Sequence, residues 1–142
     1  MPVINSLAER KDELTEWRRE LHQHPEICYE EVWTSDFIAA KLDSFGIEVH
    51  RGMGKTGVVG VIRGRGDSDR AIGLRADIDA LPMQDLNEFA HASKIPNRMH
   101  ACGHDGHTTM LLGAAQHLAE TRNFDGTVYV LSLIHISEPT RP

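Results

Sequence analysis

Residues 71–82 read AIGLRADIDALP, an apolar run from Ala71 to Leu74 that passes directly into Arg75, Asp77 and Asp79 and stops at Pro82. Such a run predicts a short buried strand over 71–75. Charged groups just past the carboxyl end of a buried strand are where open α/β sheets place their sites. Further on, 83–99 shows no clean period and contains Pro96 and Asn97, which predicts a loop. A helix is predicted over 105–120, with Asp105 as its N-cap and Met110, Leu111, Ala114, Ala115 and Leu118 as its buried face. A turn at 123–126 and a strand from 127 to 130 follow. Strand, helix and strand in succession make the chain α/β.

Towards the N-terminus, Leu7, Leu14, Trp17, Arg18 and Leu21 recur near helical spacing, which predicts an amphipathic helix over 4–22. Pro25 forces His24 out of helical geometry and ends it. A second helix is predicted over 30–45, with Val32, Phe37, Ile38 and Leu42 as its apolar stripe and Gly46 as its C-cap. Strands are predicted at 47–50 and 57–63, and a turn at 65–69.

The chain has 142 residues, enough for one domain with a hydrophobic core. Its net charge of −6 is spread over interleaved acids and bases, so no basic stripe points to nucleic acid or an anionic membrane. No apolar run reaches membrane-spanning length, and residues 7–21 are too charged for a signal-peptide core. Two cysteines, Cys28 and Cys102, make no disulfide framework, which fits a reducing, cytoplasmic setting.

The chemistry concentrates at 99–107, MHACGHDGH. Cys102 and His104, separated by one glycine, are candidate metal ligands, because thiolate with imidazole suits zinc and its borderline-soft neighbours. His107, on the first helical turn, is a candidate partner of a ligand or substrate. His100 is read equally as a polar loop residue. Asp77 and Asp79, two residues apart, would share one side of a continuing strand, where they could bind metal or accept a proton from a ligating histidine. The cluster at 18–26, RRELHQHPE, is weak alone: His22 and His24 beside Pro25 read as a polar helix end, not as ligands. His50, His91 and His117 read as surface residues.

Taken together, RELHQHPE at 19–26, LRADIDALP at 74–82 and MHACGHDGH at 99–107 with the helix after it resemble the M20 metallopeptidases. The likeness is closest to the amidohydrolase branch of hippurate hydrolases, N-acyl-amino-acid deacylases and auxin-conjugate hydrolases. It implies the incomplete N-terminal part of a three-layer zinc-peptidase-like catalytic domain, with a mixed, mostly parallel sheet, over 1–130. It also implies a parent enzyme that uses two divalent ions (Mn, Zn, Co or Ni) to cleave the amide of an N-acyl amino acid with metal-activated water. Cys102 and His104 match metal ligands of the family. Asp77 falls where other branches place a histidine ligand, so only a supporting role is carried over to Asp77, Asp79 and His107. The expected partner is a small N-acyl amino acid, with neither nucleic acid nor membrane, and the resemblance allows a homodimer of the parent.

In the family, a strand like 126–130 leads into two adjacent glutamates, one the general base and one a ligand. Here 131–142 reads LSLIHISEPTRP, and Glu138 before Pro139 does not match that pair. This string resembles a translated sequencing adapter, so it is expected to be a non-native tail and the fragment to be inactive. The sheet would then end at an unpaired edge and fold poorly. The alternatives are a non-enzymatic metal-binding module and a related M20 dipeptidase or deacylase.

Overall fold

A computed structural model describes residues 3–132. The string at 133–142, with Glu138, lies outside the described residues. The order of elements is α1 (Asn5–Glu9), α2 (Lys11–Gln23), α3 (Val32–Ser44), β1 (Glu48–Met53), β2 (Gly57–Arg63), β3 (Gly66–Ala76), α4 (His104–Thr121) and β4 (Asp125–Ser132).

The single helix expected over 4–22 is broken at Arg10, which caps both α1 and α2 with non-helical backbone. In α2, Trp17 and Leu21 are buried one turn apart, as the apolar spacing requires, and His22 is buried beside them. Its acidic first turn, Asp12 and Glu13, complements the helix dipole. The next helix, α3, starts two residues later than expected. The Glu26 carboxylate caps it from outside, accepting the Trp33 and Thr34 amides at 3.1 and 2.6 Å and the Thr34 hydroxyl at 2.6 Å. Ile38 and Leu42 form its buried stripe, whereas Val32 sits on the solvent side of its first turn. Gly46 ends it as expected, at φ +73°. There the Ile47 and Gly46 amides reach back to the Leu42 and Asp43 carbonyls at 3.2 and 2.9 Å.

The four strands form one mixed sheet in the order β1-β2-β4-β3. β1 pairs antiparallel with β2, and β2 antiparallel with β4 from Val58↔Ser132 to Arg63↔Thr127. Only β3 and β4 are parallel, from Ala71↔Thr127 to Ala76↔Ser132. The sheet is mixed, but the described strands are not mostly parallel. The reason lies in connectivity: a parallel pair needs a long crossover, and α4 supplies the one that joins β3 to β4.

Central β2 is buried from Gly57 to Ile62, which explains its continuous apolar run. The 71–75 strand was expected to be buried and is not. Among the described residues β3 lies at the sheet's edge and is mostly exposed, with Ile72 at 59%. It is also longer than its apolar run, because its polar start from Gly66 pairs with Asp125.

On α4, Leu111, Leu112, Ala115 and Ala119 are buried, but Met110, at 67% exposed, is outside the core face. Trp17, Ile38, Leu42, Ile62, Ile78, Leu112, Ala115 and Val130 belong to one hydrophobic core. Both α3 and α4 pack on the sheet and on each other, and α2 packs on α4. This packing brings the end of α2 against the start of α4, beside the segment that leaves β3.

Candidate metal centre

The site forms where β3 ends, at Ala76, and α4 begins, at His104. Ile78, fully buried, pins the segment between Asp77 and Asp79 into the core, and Ala80 bridges to Ile27. Gly103 is the helix N-cap, in left-handed geometry at φ +108°. Asp105 is therefore not the N-cap expected; it occupies the second helical position, buried.

His104 is held from the sheet side. Its Nδ1 lies 2.9 Å from the Asp79 carbonyl and 3.0 Å from Asp79 Oδ1, two acceptors that only a protonated Nδ1 satisfies. The lone pair then belongs to Nε2, the form of imidazole a metal takes. Cys102 is exposed and unpaired in a disulfide. The His107 ring lies 5.5 Å from that of His104 and is exposed.

The two aspartates part company. With β3 ending at Ala76, no strand aligns them. The Asp77 carboxylate is taken by Arg75, while that of Asp79 turns to His104. A thiolate and an oriented imidazole fit a borderline divalent ion as two of its ligands. No third donor joins them, since no group of three or more His, Cys, Asp or Glu among the described residues is arranged to hold a metal.

Sequence reasoning missed a second cluster behind this turn. His22 is not a polar helix end: it is 4% exposed, and its Nδ1 donates to Asp105 Oδ2 at 2.9 Å. Arg18 Nε approaches the same oxygen at 3.4 Å. Burial alone would raise the Asp105 carboxyl, but the His22 hydrogen bond, His100 and the Gly106 amide bring it below the usual range. Asp85 is also buried, and its carboxyl is lowered by the Ser93 and Asn87 amides. Neither nitrogen of buried His100 has a partner among the described residues, and burial pushes its pKa down to about 4.

His91 is half-buried, stacked on Phe89 at 4.0 Å, and so is not the surface residue expected. His117 is likewise half-buried, with its Nδ1 3.2 Å from the Ser6 hydroxyl, whereas His50 is exposed. Under the Asp79 segment lies Glu31, wholly buried, with Thr56 Oγ1 donating to its Oε2 at 2.9 Å. Desolvation pushes this carboxyl up, and the charge of Asp79 adds to the effect. Helical spacing from Trp17 and Leu21 did not reveal His22; the available signal was its i, i+4 spacing from Arg18, which puts both side chains on the face that meets Asp105.

Known proteins resemble this chain in sequence and in fold. Residues 73–135 match the peptidase family M20/M25/M40. The chain is 48% identical over 128 residues to a hippurate hydrolase of Campylobacter jejuni, covering 90% of this chain and 33% of that protein. It is 47% identical to an N-acyl-L-amino acid amidohydrolase of Geobacillus stearothermophilus, over 81% of this chain and 31% of that one. Among solved structures, the Bacillus subtilis YXEP protein, a dinuclear metal-binding peptidase of the M20 family, superposes with a TM-score of 0.81. The two are 40% identical, covering 92% of this chain and 36% of YXEP. The chain spans about a third of the length of these relatives; by its sequence likeness and shared fold, it belongs to the peptidase family M20/M25/M40.

Proposed function

We propose that the longer protein to which this sequence corresponds hydrolyses the amide bond of N-acyl amino acids, with hippurate-like or N-acetyl compounds as substrates. The observation that carries this reading is the Asp79–His104 pair, which commits Nδ1 and leaves the Nε2 lone pair for a ligand, two residues along the chain from Cys102, in a chain so similar to a hippurate hydrolase. Cys102 and His104 would be two of the ligands of a divalent metal pair. Once bound, such ions polarise the scissile carbonyl and activate water. Asp79 would fix the tautomer and ring plane of His104, and exposed His107 would meet a ligand or substrate. Manganese, zinc, cobalt and nickel all suit this mixture of donors. Neither cysteine forms a disulfide among the described residues, which supports a reducing compartment, the cytoplasm. No helix of the described residues is long and apolar enough to cross a membrane.

A polypeptide of these 142 residues is proposed to be inactive, because the family's paired glutamates are missing from its sequence. Residues 131–142 are proposed to be a non-native tail. Although β4 pairs through Leu131 and Ser132, the ladder is a main-chain interaction that does not depend on which side chains occupy it. Sequencing the source DNA across codon 131 tests this, since a genuine stop after Pro142 refutes it. Hydrolysis of hippurate and N-acetyl amino acids, with and without added Mn, Zn, Co or Ni, tests the rest. The expected result is metal-dependent turnover by the longer protein and none by the 142-residue chain. A longer protein that leaves these amides intact overturns the substrate class.

A further inference from the structure

The ring of His22 sits where three segments meet. On one side, its Nδ1 donates to Asp105 Oδ2 at 2.9 Å, and Asp105 directly follows the candidate ligand His104. On the other, its Nε2 lies 3.5 Å from Asp85 Oδ2, at ion-pair distance without a hydrogen bond. The Asp85 carboxylate gathers its own loop by accepting the Asn87 and Ser93 amides, each at 2.9 Å. The His100 ring, two residues before Cys102, packs 6.4 Å from the His22 ring. His22 itself is anchored, because Trp17 and Leu21 of the same helix are buried at 4% and 1% exposure.

The turn that carries Cys102 and His104 is thus gripped from two directions. Asp79 holds the His104 ring from the sheet, and α2 holds the next residue, Asp105, from behind. Asp105 transmits that hold locally, since its Oδ1 accepts the Gly106 amide at 2.9 Å and its carbonyl accepts the Thr109 hydroxyl at 2.9 Å. Removing the donor from Asp105 would leave a buried carboxylate short of its strongest partner, and the first turn of α4 would shift to find another.

We propose that His22 is a positioning residue for the candidate metal centre, acting through its hydrogen bond to Asp105 to fix the helical turn that presents His104. The proposal rests on reading Cys102 and His104 as metal ligands. It assigns a role on α2, more than eighty residues away in sequence.

The two nitrogens of His22 can be separated by substitution. In His22→Asn the side-chain amide falls near Nδ1 and retains a donor to Asp105. In His22→Gln it falls near Nε2 and loses that donor. Two readouts on the purified longer protein decide. The first is 15N NMR of the imidazoles without metal, which reports whether His104 keeps its proton on Nδ1. The second is titration with Co2+ followed by the thiolate-to-cobalt absorption, with Cys102→Ala as control.

The expected result is that His22→Asn keeps the His104 tautomer and the cobalt affinity, whereas His22→Gln loses the fixed tautomer and weakens cobalt by ~10-fold or more, the range for groups that orient ligands. A purely structural role would lower the stability of both variants and leave the tautomer alone. Should His22→Gln fail to fold, His22→Leu provides the same loss in an apolar form that a buried site accepts. A wild-type His104 tautomer in a folded variant lacking the donor overturns the proposal, as does equal behaviour of Asn and Gln. Absence of a cobalt band that Cys102→Ala removes would refute the metal reading, and the tautomer comparison would still decide the role of His22.

Discussion

Asp79 engages the Nδ1–H of His104 through both its carbonyl, at 2.9 Å, and its carboxylate, at 3.0 Å. Asp77, two residues earlier, gives its carboxylate to Arg75 instead. Two acidic residues that look equivalent in sequence therefore differ in consequence. Asp79→Ala is expected to weaken divalent-metal binding by about 10- to 100-fold, and Asp77→Ala by much less, in chelator competition on the purified protein. Equal losses from the two substitutions would contradict the assignment.

His100 makes stability depend on pH. Its folded pKa of about 4 lies below the ordinary value of 6.5, first because of burial and then through a balance of neighbours. Asp105 and Asp79 favour its charged form, while His22 and His104 oppose it. A histidine with a depressed folded pKa contributes stability above the unfolded value and loses it as pH falls towards 4. That contribution is about 3 kcal/mol between pH 7 and pH 4. Urea unfolding at the two pH values is expected to show wild type losing roughly this much more than His100→Leu. Parallel losses would mean that His100 is solvated.

Glu31 works in the opposite direction. Desolvation raises its folded pKa, so its protonated form is the one the fold favours. Its contribution is present below the ordinary carboxyl range and is lost as pH rises through the raised value. Glu31→Gln keeps an oxygen for the Thr56 hydroxyl and carries no charge. The variant's stability relative to wild type is expected to improve from pH 4 to pH 8 in thermal melts. A constant difference across that range would sink this account.

Ile78 ties the site to the core. It is 0% exposed, between the two aspartates, and belongs to the same core as Ile62 and Leu112. Ile78→Ala is expected to cost about 2–5 kcal/mol in denaturant unfolding, the range for deleting a buried branched side chain. A cost under about 1 kcal/mol would mean that the segment is not pinned by this residue.

Much of the site was legible in the sequence because its residues are neighbours there. Cys102 and His104 sit around the glycine that caps α4, and their chemistry follows from residue type alone. β2 was legible in full, since a central strand buried along its length must be continuously apolar. β3 was not read as exposed, because an apolar run carries no record of whether a neighbour covers it, and at the sheet's edge nothing among the described residues does so fully.

The sequence by itself determined the α/β class, the family motifs and the thiolate–imidazole pair, all set by local spacing and side-chain chemistry. Only the tertiary structure decided which aspartate serves His104, and that His22 is buried against Asp105. Hydrogen bonds between groups far apart in the chain depend on how helices and sheet dock. That docking is fixed by the shared core from Trp17 to Val130, not by the residues that meet at the site.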